Sequence, residues 1–600
     1  MEFEPAHIVL ATLAVSLVLF VTDALRYDLI ALSVAVALAA TQVLSPEQAF
    51  AGLASPAVML VGSMYVFGAA MTRSGLAETI GQRFLSSESG GEVGLIVRIV
   101  VIAGLLSSVL SNAGVVAILI PVCSNIAERR RIAVSRLMLP LAYGSLLGGL
   151  VTVIATSKNL AVNGVLEQAG ARPFALFEFS HYGLILLACG CLYFLGPGRW
   201  LLPKGRVDES LSEHFQVREF VTEVLIEPSS TLINRSLADA DFFGNQQVSV
   251  LGIVRPDATS VLAPGPYNRL RLGDTLILQG PPNAIVGLRE RLGLKQVESA
   301  TVGDAQLRSA DVQLVEAVIP AGSSLVGQSL VDADFVQRTG LNVMALSQAG
   351  AVENDSFNRT PLDVGDSLLI QGHERDIERA RRSREVLILG RHEAGKPERT
   401  AILSVAVLLV VLLVGFLHWM PLSVAAVGGA IVLVVAGAVP AKEVYRVIDW
   451  QTLMLIGGML ALGEAFQRSG LADSLARRLE TLMPTLGNEY LMVGSLMLAT
   501  AALTQVTTHI AASVIMAPVA LSIAERLGID DRALVMSVLT GASLAFMSPV
   551  AHQANAMVMG PGDYRYRHYL RVGTPLTVFL FVVATVLLPL MWPFEPLSTH

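Results

Sequence analysis

Polar residues break long apolar runs at four places in this sequence, and these breaks are the strongest candidates for chemistry. Inside a bilayer, unwound backbone is tolerated only where protein covers it or where it lines a cavity. A helix that begins at such a break offers free N–H groups and a positive dipole end to an anion with several oxygens, and the released carbonyls could coordinate Na⁺. The pattern therefore predicts an anion site beside a cation site. The residues are Ser111, Asn112, Ala113 and Gly114, then Thr156, Ser157, Lys158 and Asn159, then Thr507, Thr508, His509 and Ile510, and finally His552, Gln553, Ala554 and Asn555.

The four breaks form two pairs because the sequence contains a long internal repeat. The segment R-S-G-L-A-E at Arg73 returns 395 residues later as R-S-G-L-A-D, and I-A-E-R at Ile126 returns after 397 residues. A spacing that is kept in this way indicates a duplication. One isolated polar break would more often serve only for hydrogen bonds between helices, but four symmetric breaks favour binding.

Composition indicates what kind of chain must position these residues. The 600 residues are 53% hydrophobic and 15% charged, with a mean hydropathy of +0.60, whereas soluble proteins are about 25% charged. A polytopic membrane protein is predicted. The net charge of −7 argues against a nucleic-acid partner. The three cysteines lie within apolar runs, which excludes a disulfide framework, and no metal cluster is spelled out.

Twelve apolar runs fall into two blocks of six around a water-soluble insert. The run Ile99–Ala127 is too long for one simple helix, so its break predicts a re-entrant hairpin. Five full crossings then remain in each block, and an odd number makes the two repeats inverted. The runs are Ile8–Asp23, Leu29–Leu44, Ala49–Thr72, Ile99–Ala127, Leu137–Ser157, His181–Pro197, Ala401–Leu417, Pro421–Ala441, Gln451–Gly463, Leu491–Ala524, Ala533–Gly562 and Val572–Trp592.

Loop charges give an independent orientation. Basic residues at 129–131 and 565–571 fall on the same side as the insert, and the acidic termini with Glu2, Glu4 and Glu595 fall on the other. By the positive-inside rule, a multi-pass protein of the cytoplasmic (inner) membrane is expected, with the insert in the cytoplasm and both termini outside. The acidic amino terminus lacks the features of a signal peptide, so the first run should stay in the mature chain. The predicted outer loop with Arg468, Arg477 and Arg478 is an exception, and the nearby Asp473, Glu480 and Glu489 match these basic residues in number.

The insert carries a repeat of its own. The motif S-L-A-D-A-D-F at Ser236 returns 93 residues later, and R-L-G-D-T-L-I-L-Q-G at Arg271 returns after 92. Each copy predicts strands, a short helix and hairpins at Gly-Asp turns, so two small α+β modules are expected, at 204–299 and 300–399, between membrane repeats at 1–203 and 400–600. Modules this small should pair with each other or across a dimer.

These motifs resemble the divalent anion:sodium symporters, solute carrier family 13, within the ion transporter superfamily. The resemblance implies that residues 111–112 and 156–159 form one half site and that Thr508, His509 and 552–555 form the other, each with Na⁺. It also implies a homodimer in which a scaffold carries a moving transport domain, an elevator-type mechanism. The insert resembles the TrkA C-terminal (RCK-C) modules of potassium-uptake proteins, which implies a nucleotide or an ion as its ligand. We expect the modules to tune activity and not to be needed for substrate binding.

Three departures from the family pattern bear on the substrate and the coupling ion. Ala113 and Ile510 stand where the pattern has a threonine that helps to grip a dicarboxylate. Lys158 stands where the pattern has a proline beside a cation site, so its ammonium could replace Na⁺ or pair with the anion. The alternative is that Lys158 snorkels to water. With His509 and His552 able to titrate, coupling to H⁺, or no coupling, is a hypothesis beside coupling to Na⁺.

The leading expectation is a secondary active transporter of a divalent anion, sulfate or a similar oxyanion, that needs no cofactor beyond a coupling ion. A di- or tricarboxylate transporter or exchanger is the alternative. A channel or sensor regulated by the TrkA-type modules is a different class, and the sequence contains neither a T-V-G-Y-G filter nor an output domain. It has no Walker A motif either, so an ATP-driven pump is unsupported, and no enzyme is expected. Glu464 precedes Arg468 by four residues, which predicts an ion pair at a helix end.

Overall fold

The computed structural model describes most of both membrane blocks and the strands of the insert. Some predictions lie outside the described residues: the charges at Glu2, Glu4, Asp473, Arg477, Arg478, Glu480 and Glu595, part of the first S-L-A-D-A-D-F copy, and the boundaries near 204, 299 and 399. The described residues are 5–22, 25–85, 91–203, 221–237, 248–256, 260–262, 267–279, 285, 288–289, 291–296, 312–321, 323–348, 351–353, 357–383, 385–389, 400–417, 419–471, 488–505, 507–549 and 551–594.

The first membrane block is helical, and its helices begin where the sequence supplies caps. Ser55 Oγ accepts a hydrogen bond from Val58 N at 3.3 Å, and Pro56 follows at the first helical position. The single run expected from Ala49 to Thr72 is therefore two helices, because this cap starts a new one. The helices are α1 (Pro5–Thr22), α2 (Tyr27–Ala40), α3 (Pro46–Ala51), α4 (Pro56–Arg73), α5 (Leu76–Leu85), α6 (Gly91–Ser107), α7 (Asn112–Arg130), α8 (Met138–Gly148), α9 (Ser157–Gln168), α10 (Ser180–Leu195) and α11 (Gly198–Leu201).

The insert contains two five-stranded antiparallel sheets with the same topology. The first has the order β3-β2-β4-β1-β5, and the second has β8-β7-β9-β6-β10, which is the same arrangement five strands later. In each sheet the two central pairs join the first strand to the fourth and the second to the fourth. Two short helices, α12 (Phe335–Thr339) and α13 (Glu374–Ser383), accompany the second sheet. The strands are β1 (Val221–Ile226), β2 (Ser249–Val254), β3 (Ser260–Leu262), β4 (Thr275–Gln279), β5 (Leu294–Gln296), β6 (Val312–Val318), β7 (Asn342–Gln348), β8 (Ala351–Glu353), β9 (Ser367–His373) and β10 (Leu387–Ile388).

The second membrane block repeats the pattern of the first. Helix α19 starts 397 residues after α7, is also 19 residues long, contains Pro518 where α7 contains Pro121, and ends at a left-handed residue as α7 does. The helices are α14 (Thr400–Phe416), α15 (Leu422–Val435), α16 (Ala441–Val447), α17 (Trp450–Arg468), α18 (Glu489–Thr504), α19 (His509–Leu527), α20 (Arg532–Ser543), α21 (Gln553–Met557) and α22 (Tyr566–Met591).

Length and composition identify the membrane helices. Among the described residues, three helical stretches are long and apolar enough to cross a bilayer: 46–73, 509–527 and 566–591. Six shorter apolar helices accompany them. The expectation of a polytopic helical membrane protein is confirmed. The expected ion pair is also present, with Arg468 Nε 2.7 Å from Glu464 Oε1.

The breaks in the long runs lie where the sequence predicts them. Helix α6 ends at Ser107 and α7 begins at Asn112, while α8 ends at Gly148 and α9 begins at Ser157. The second block has the same interruptions between α18 and α19 and between α20 and α21. The two blocks differ in the helix that follows this last break, because α9 has 12 residues and its counterpart α21 has five.

Small residues let the helices around the first break approach closely. A Cβ at Gly148 would lie 2.7 Å from Gly104 Cα in α6, and one at Gly144 would lie 2.8 Å from Val100 Cα in the same helix. Membrane helices associate through such close contacts, since lipid provides no hydrophobic drive between them. The contact between α6 and α8 therefore fixes where both polar breaks of the first block lie.

We expect the variant Gly148→Ala to unfold at lower temperature than the wild type. The added methyl group must displace backbone in α6, and overpacking of this kind costs about 1–3 kcal/mol. Gly68→Ala in α4 is the matched control, because a Cβ there meets nothing within 4 Å. Thermal unfolding in detergent measures both variants, and equal midpoints for the two would contradict the packing argument.

Candidate functional site

Two helix amino termini carry the predicted anion-binding residues. Ser111 caps α7, with its Oγ accepting from Gly114 N at 3.2 Å, and Thr508 caps α19, with its Oγ1 accepting from Ala511 N at 3.2 Å. Each cap satisfies one of the amide groups that a helix start leaves without an intrahelical acceptor. The neighbouring N–H groups and the positive dipole ends are therefore suited to an anion.

Two asparagines hold the broken backbone in the same way in both blocks. Asn159 Nδ2 donates to the carbonyls of Gly149 at 2.9 Å and Thr152 at 3.0 Å. Asn555 Nδ2 donates to Ala545 O at 2.6 Å and Ser548 O at 3.0 Å. Each acceptor lies 396 residues after its counterpart. An amide nitrogen has two hydrogens, so one side chain satisfies two carbonyls that the break releases.

The amide oxygens of this pair differ in their surroundings. Asn159 Oδ1 accepts a hydrogen bond from Lys158 Nζ at 3.0 Å. Asn555 Oδ1 is buried and has no hydrogen-bond partner among the described residues. The residue before Asn555 is Ala554, which has no amine to offer. One half site therefore contains its own cation, and the other contains a buried oxygen with the chemistry of a cation ligand.

Lys158 does not reach water in this structure. Its side chain is buried, with the residue 4% exposed, and Nζ lies 3.0 Å from Asn159 Oδ1 and 3.4 Å from Thr156 Oγ1. None of the ion pairs between described residues includes it. A buried ammonium without a carboxylate partner carries a strong cost, and an anionic ligand would offset that cost.

The two halves meet at a pair of histidines. The rings of His509 and His552 stack with their centroids 4.8 Å apart, and Lys158 lies near both rings. Asn112 from the first half places Nδ2 3.4 Å from His552 Nε2, while its Oδ1 accepts from Ser107 Oγ at 2.7 Å. The structure thus brings Asn112, Lys158, His509 and His552 into one cluster.

His552 also caps α21, and this restricts its protonation. The ring accepts a hydrogen bond at Nδ1 from Ala554 N at 3.1 Å. A lone pair at Nδ1 requires the neutral ring, whose proton then sits on Nε2. That proton faces Asn112 Nδ2, which is itself a donor, so the 3.4 Å contact between the two nitrogens is not a hydrogen bond in this tautomer. Protonation of Nδ1 would remove the cap and disturb the start of α21.

Some predicted residues lie at the edge of the cluster. Gln553 is exposed, Thr507 Oγ1 donates to Leu503 O at 3.0 Å, and the half-buried Ala113 and Gly114 contribute only backbone groups. No group of three or more His, Cys, Asp or Glu side chains that could hold a metal ion occurs within the described segments.

Sequence reasoning missed several residues that shape the site. A Cβ at Gly149 would lie 2.7 Å from Thr156 Cγ2 and 3.3 Å from Asn112 Nδ2, so glycine leaves room for both. Ser107 orients Asn112, and Thr152 Oγ1 donates to Ser108 O across the two breaks. The Gly148–Gly149 pair near the end of an apolar run was the one sequence signal that could have indicated these close contacts. Tyr65 was not foreseeable, because it comes from α4 and donates to Asp449 Oδ2, at 3.4 Å, from 384 positions away in the sequence.

The chain is similar to known transporters over nearly its whole length. The family model described as citrate transporter matches residues 17–513. An uncharacterised transporter of Synechocystis sp. is 30% identical over 98% of this chain and 97% of its own length. The uncharacterised transporter YfbS of Escherichia coli is 29% identical over 98% of this chain and 99% of its own.

More distant matches are also found. The sodium/sulfate cotransporter 2 of Chlamydomonas reinhardtii is 26% identical over 62% of this chain and 43% of its own length. The crystal structure of the Alcanivorax borkumensis YdaH transporter aligns over 96% of this chain and 98% of that one, with 13% identity and a TM-score of 0.46. The family model and these three relatives matched by sequence are described as transporters, so the expectation of a membrane transport protein, and not an enzyme, is confirmed.

We expect the variants Asn159→Ala and Asn555→Ala to be less stable and to lose ligand binding. Each change leaves two buried carbonyls unsatisfied, at a cost of about 1–3 kcal/mol for each group. Gln505→Ala, which removes an exposed side chain next to the break between α18 and α19, is the control and should match the wild type. Thermal unfolding with and without added sulfate checks this, and an Asn555→Ala protein as stable as Gln505→Ala would contradict it.

Proposed function

Because the chain belongs to the citrate transporter family, as its resemblance to the divalent anion:sodium symporters implied, we propose that it is a secondary active transporter of a divalent anion. Sulfate or a similar oxyanion is the leading substrate, and a di- or tricarboxylate is the alternative. The observation that carries the proposal is the cluster of two helix amino termini and the buried ammonium of Lys158. This arrangement concentrates positive charge and N–H donors where a compact oxyanion would bind.

The choice of sulfate over citrate rests on two considerations. The matched cotransporter of Chlamydomonas reinhardtii is named for sodium and sulfate. Ala113 and Ile510 place methyl and aliphatic groups where the family pattern has threonine hydroxyls, so fewer donors remain for the second carboxylate of a longer substrate. A tetrahedral oxyanion needs fewer such groups, because its oxygens lie close together.

For the transport cycle we propose inverted repeats with re-entrant hairpins and an elevator-type movement in a homodimer. The repeated asparagine contacts support the duplication. The hydrogen bond of Tyr65 with Asp449 joins α4 to the start of α17, and both helices pack against α9. This packing supports a boundary between scaffold and mover beside α9. We also propose that the protein lies in the cytoplasmic membrane, with the insert in the cytoplasm and both termini outside. The distribution of charged residues between the loops supports this orientation.

For coupling we propose one cation, Na⁺ or H⁺, at the second half site. Lys158 Nζ occupies the position beside Asn159 Oδ1 that a cation would take, whereas the equivalent Asn555 Oδ1 has no partner among the described residues. Sodium would use this oxygen directly. A proton would instead have to enter through His552, at the expense of the α21 cap.

Uptake into proteoliposomes tests the substrate and the coupling ion together. We expect radiolabelled sulfate to accumulate under an imposed Na⁺ gradient and not without a gradient, with a proton gradient and a succinate arm run alongside. Accumulation with the proton gradient alone would favour His552 as the coupling group. Uptake of succinate in place of sulfate would overturn the oxyanion assignment, and no uptake of either anion in any arm would overturn the proposed function.

We expect Lys158→Ala to change the cation dependence of transport. Removing the amine leaves Asn159 Oδ1 unpaired, as Asn555 Oδ1 is, so the first half site should then need a cation of its own. Sulfate affinity should fall by about tenfold, which corresponds to about 1.4 kcal/mol, and uptake should depend more steeply on Na⁺ concentration. Lys442→Ala removes an exposed lysine of α16 and is the control. If Lys158→Ala transported sulfate with the affinity and cation dependence of the wild type, the idea that the Lys158 ammonium takes the place of a bound coupling cation would be refuted.

A further inference from the structure

A turn of the second sheet module touches the membrane block directly. The turn comprises residues 363–366, and a Cβ at Gly365 would collide with Ala556 O and lie 2.6 Å from Ala556 C. A Cβ at Gly560 would in turn collide with Gly365 O and Ser367 Oγ. Glycine at both positions lets the two backbones meet without side chains between them. Gly365 also has φ +90°, a conformation that favours glycine.

Apolar side chains extend this contact. Val364 packs against the hydrophobic core of the membrane block, and the buried Val318 and Leu389 of the same module belong to that core. The module therefore shares apolar packing with the membrane block, and the glycine contact is one part of a larger contact.

The element that the turn touches belongs to the second half site. Ala556 lies in α21 between Asn555, which holds the second break, and Met557. On another side, Tyr569 Oη donates to Asn555 O at 2.7 Å. A helix of five residues has little internal hydrogen bonding, so its position depends on these outside contacts.

The turn is rigidly joined to its own sheet. Asp366 Oδ2 accepts from Asp363 N at 2.7 Å and from Gln348 Nε2 at 2.7 Å, and Gly365 N donates to Ile319 O at 2.9 Å. These bonds tie the turn to β7 and to the end of β6. A shift of the sheet would consequently move the turn with it.

The first module offers the same turn without the contact. Gly273, 92 residues before Gly365, has φ +85°, and among the described residues a Cβ there would meet only Pro256 Cγ of its own module, at 3.0 Å. Leu272, the counterpart of Val364, is 51% exposed. The sequence repeat therefore provides an internal comparison in which, within the described segments, the turn of the second copy alone contacts α21.

We propose that the 363–366 turn is the contact through which the insert controls the second half site. With the turn docked, α21 is held against Tyr569 and Asn555 keeps its place at the break. When the second module shifts, α21 loses this support and the half site changes its affinity for the coupling cation. This regulation rests on the proposed transport function, because α21 carries the residues assigned there to coupling.

Two matched pairs of full-length variants test the proposal: Gly365→Ala with Gly273→Ala, and Val364→Ser with Leu272→Ser. Hydrogen exchange of residues 551–560 is measured first, and it needs no substrate. We expect exchange in this segment to rise by about fivefold or more in both variants of the second module. The two variants of the first module should stay within about twofold of the wild type. Unchanged exchange in Val364→Ser and Gly365→Ala, or an equal rise in the first-module variants, would overturn the contact.

Uptake by the same proteins then tests control of the site. The Na⁺ concentration that gives half-maximal sulfate uptake should shift by about threefold or more in Gly365→Ala and Val364→Ser and should not shift in their partners. Altered exchange with an unshifted Na⁺ dependence would overturn the regulation. If the wild type transports no anion, the proposed function fails, while the exchange measurement still decides whether the turn holds α21.

Discussion

A backbone that breaks inside a membrane must have its polar groups satisfied by the protein, and the rest of this structure depends on that constraint. Asn159 and Asn555 meet it with the same pair of donated hydrogen bonds in both blocks. Because the geometry recurs 396 residues apart, the backbone path dictates it and no particular ligand does. Helices α9 and α21 can begin within the apolar interior only because these amides take up the carbonyls that α8 and α20 leave behind.

Once both amide nitrogens are committed to carbonyls, the amide oxygens decide the electrostatics of each half. The first oxygen has an ammonium one residue away, and the second has none among the described residues. Two halves with the same fold therefore differ in charge at one atom. A duplicated site that has lost its symmetry in this way can bind an anion with a fixed charge on one side and an exchangeable cation on the other.

Most of the architecture could be predicted from the sequence because the repeat and the polar breaks are local signals. The break positions, the pairing of Asn159 with Asn555 and the topology shared by the insert modules all follow from spacing. Contacts that join distant segments could not be predicted in that way. Tyr65 reaches Asp449 across 384 positions of sequence, and Gly365 meets Ala556 across 191, although each looks ordinary in its own surroundings. In a single sequence, such a contact is visible only as a glycine or an ordinary tyrosine, and neither residue type reveals its distant partner.

Among the described residues, the half site whose amide oxygen has no ammonium beside it is also the half site whose helix the module turn contacts. The half site that has Lys158 is built on a helix of 12 residues, whereas the one with the unpaired Asn555 oxygen is built on a helix of five. A longer helix holds itself in place, and a shorter one must be held from outside. Because the module turn contacts the short helix, a change in the insert would reach the half site to which we assign the coupling cation. Control applied at the Lys158 half would have much less effect, since its positive charge is covalently part of the chain.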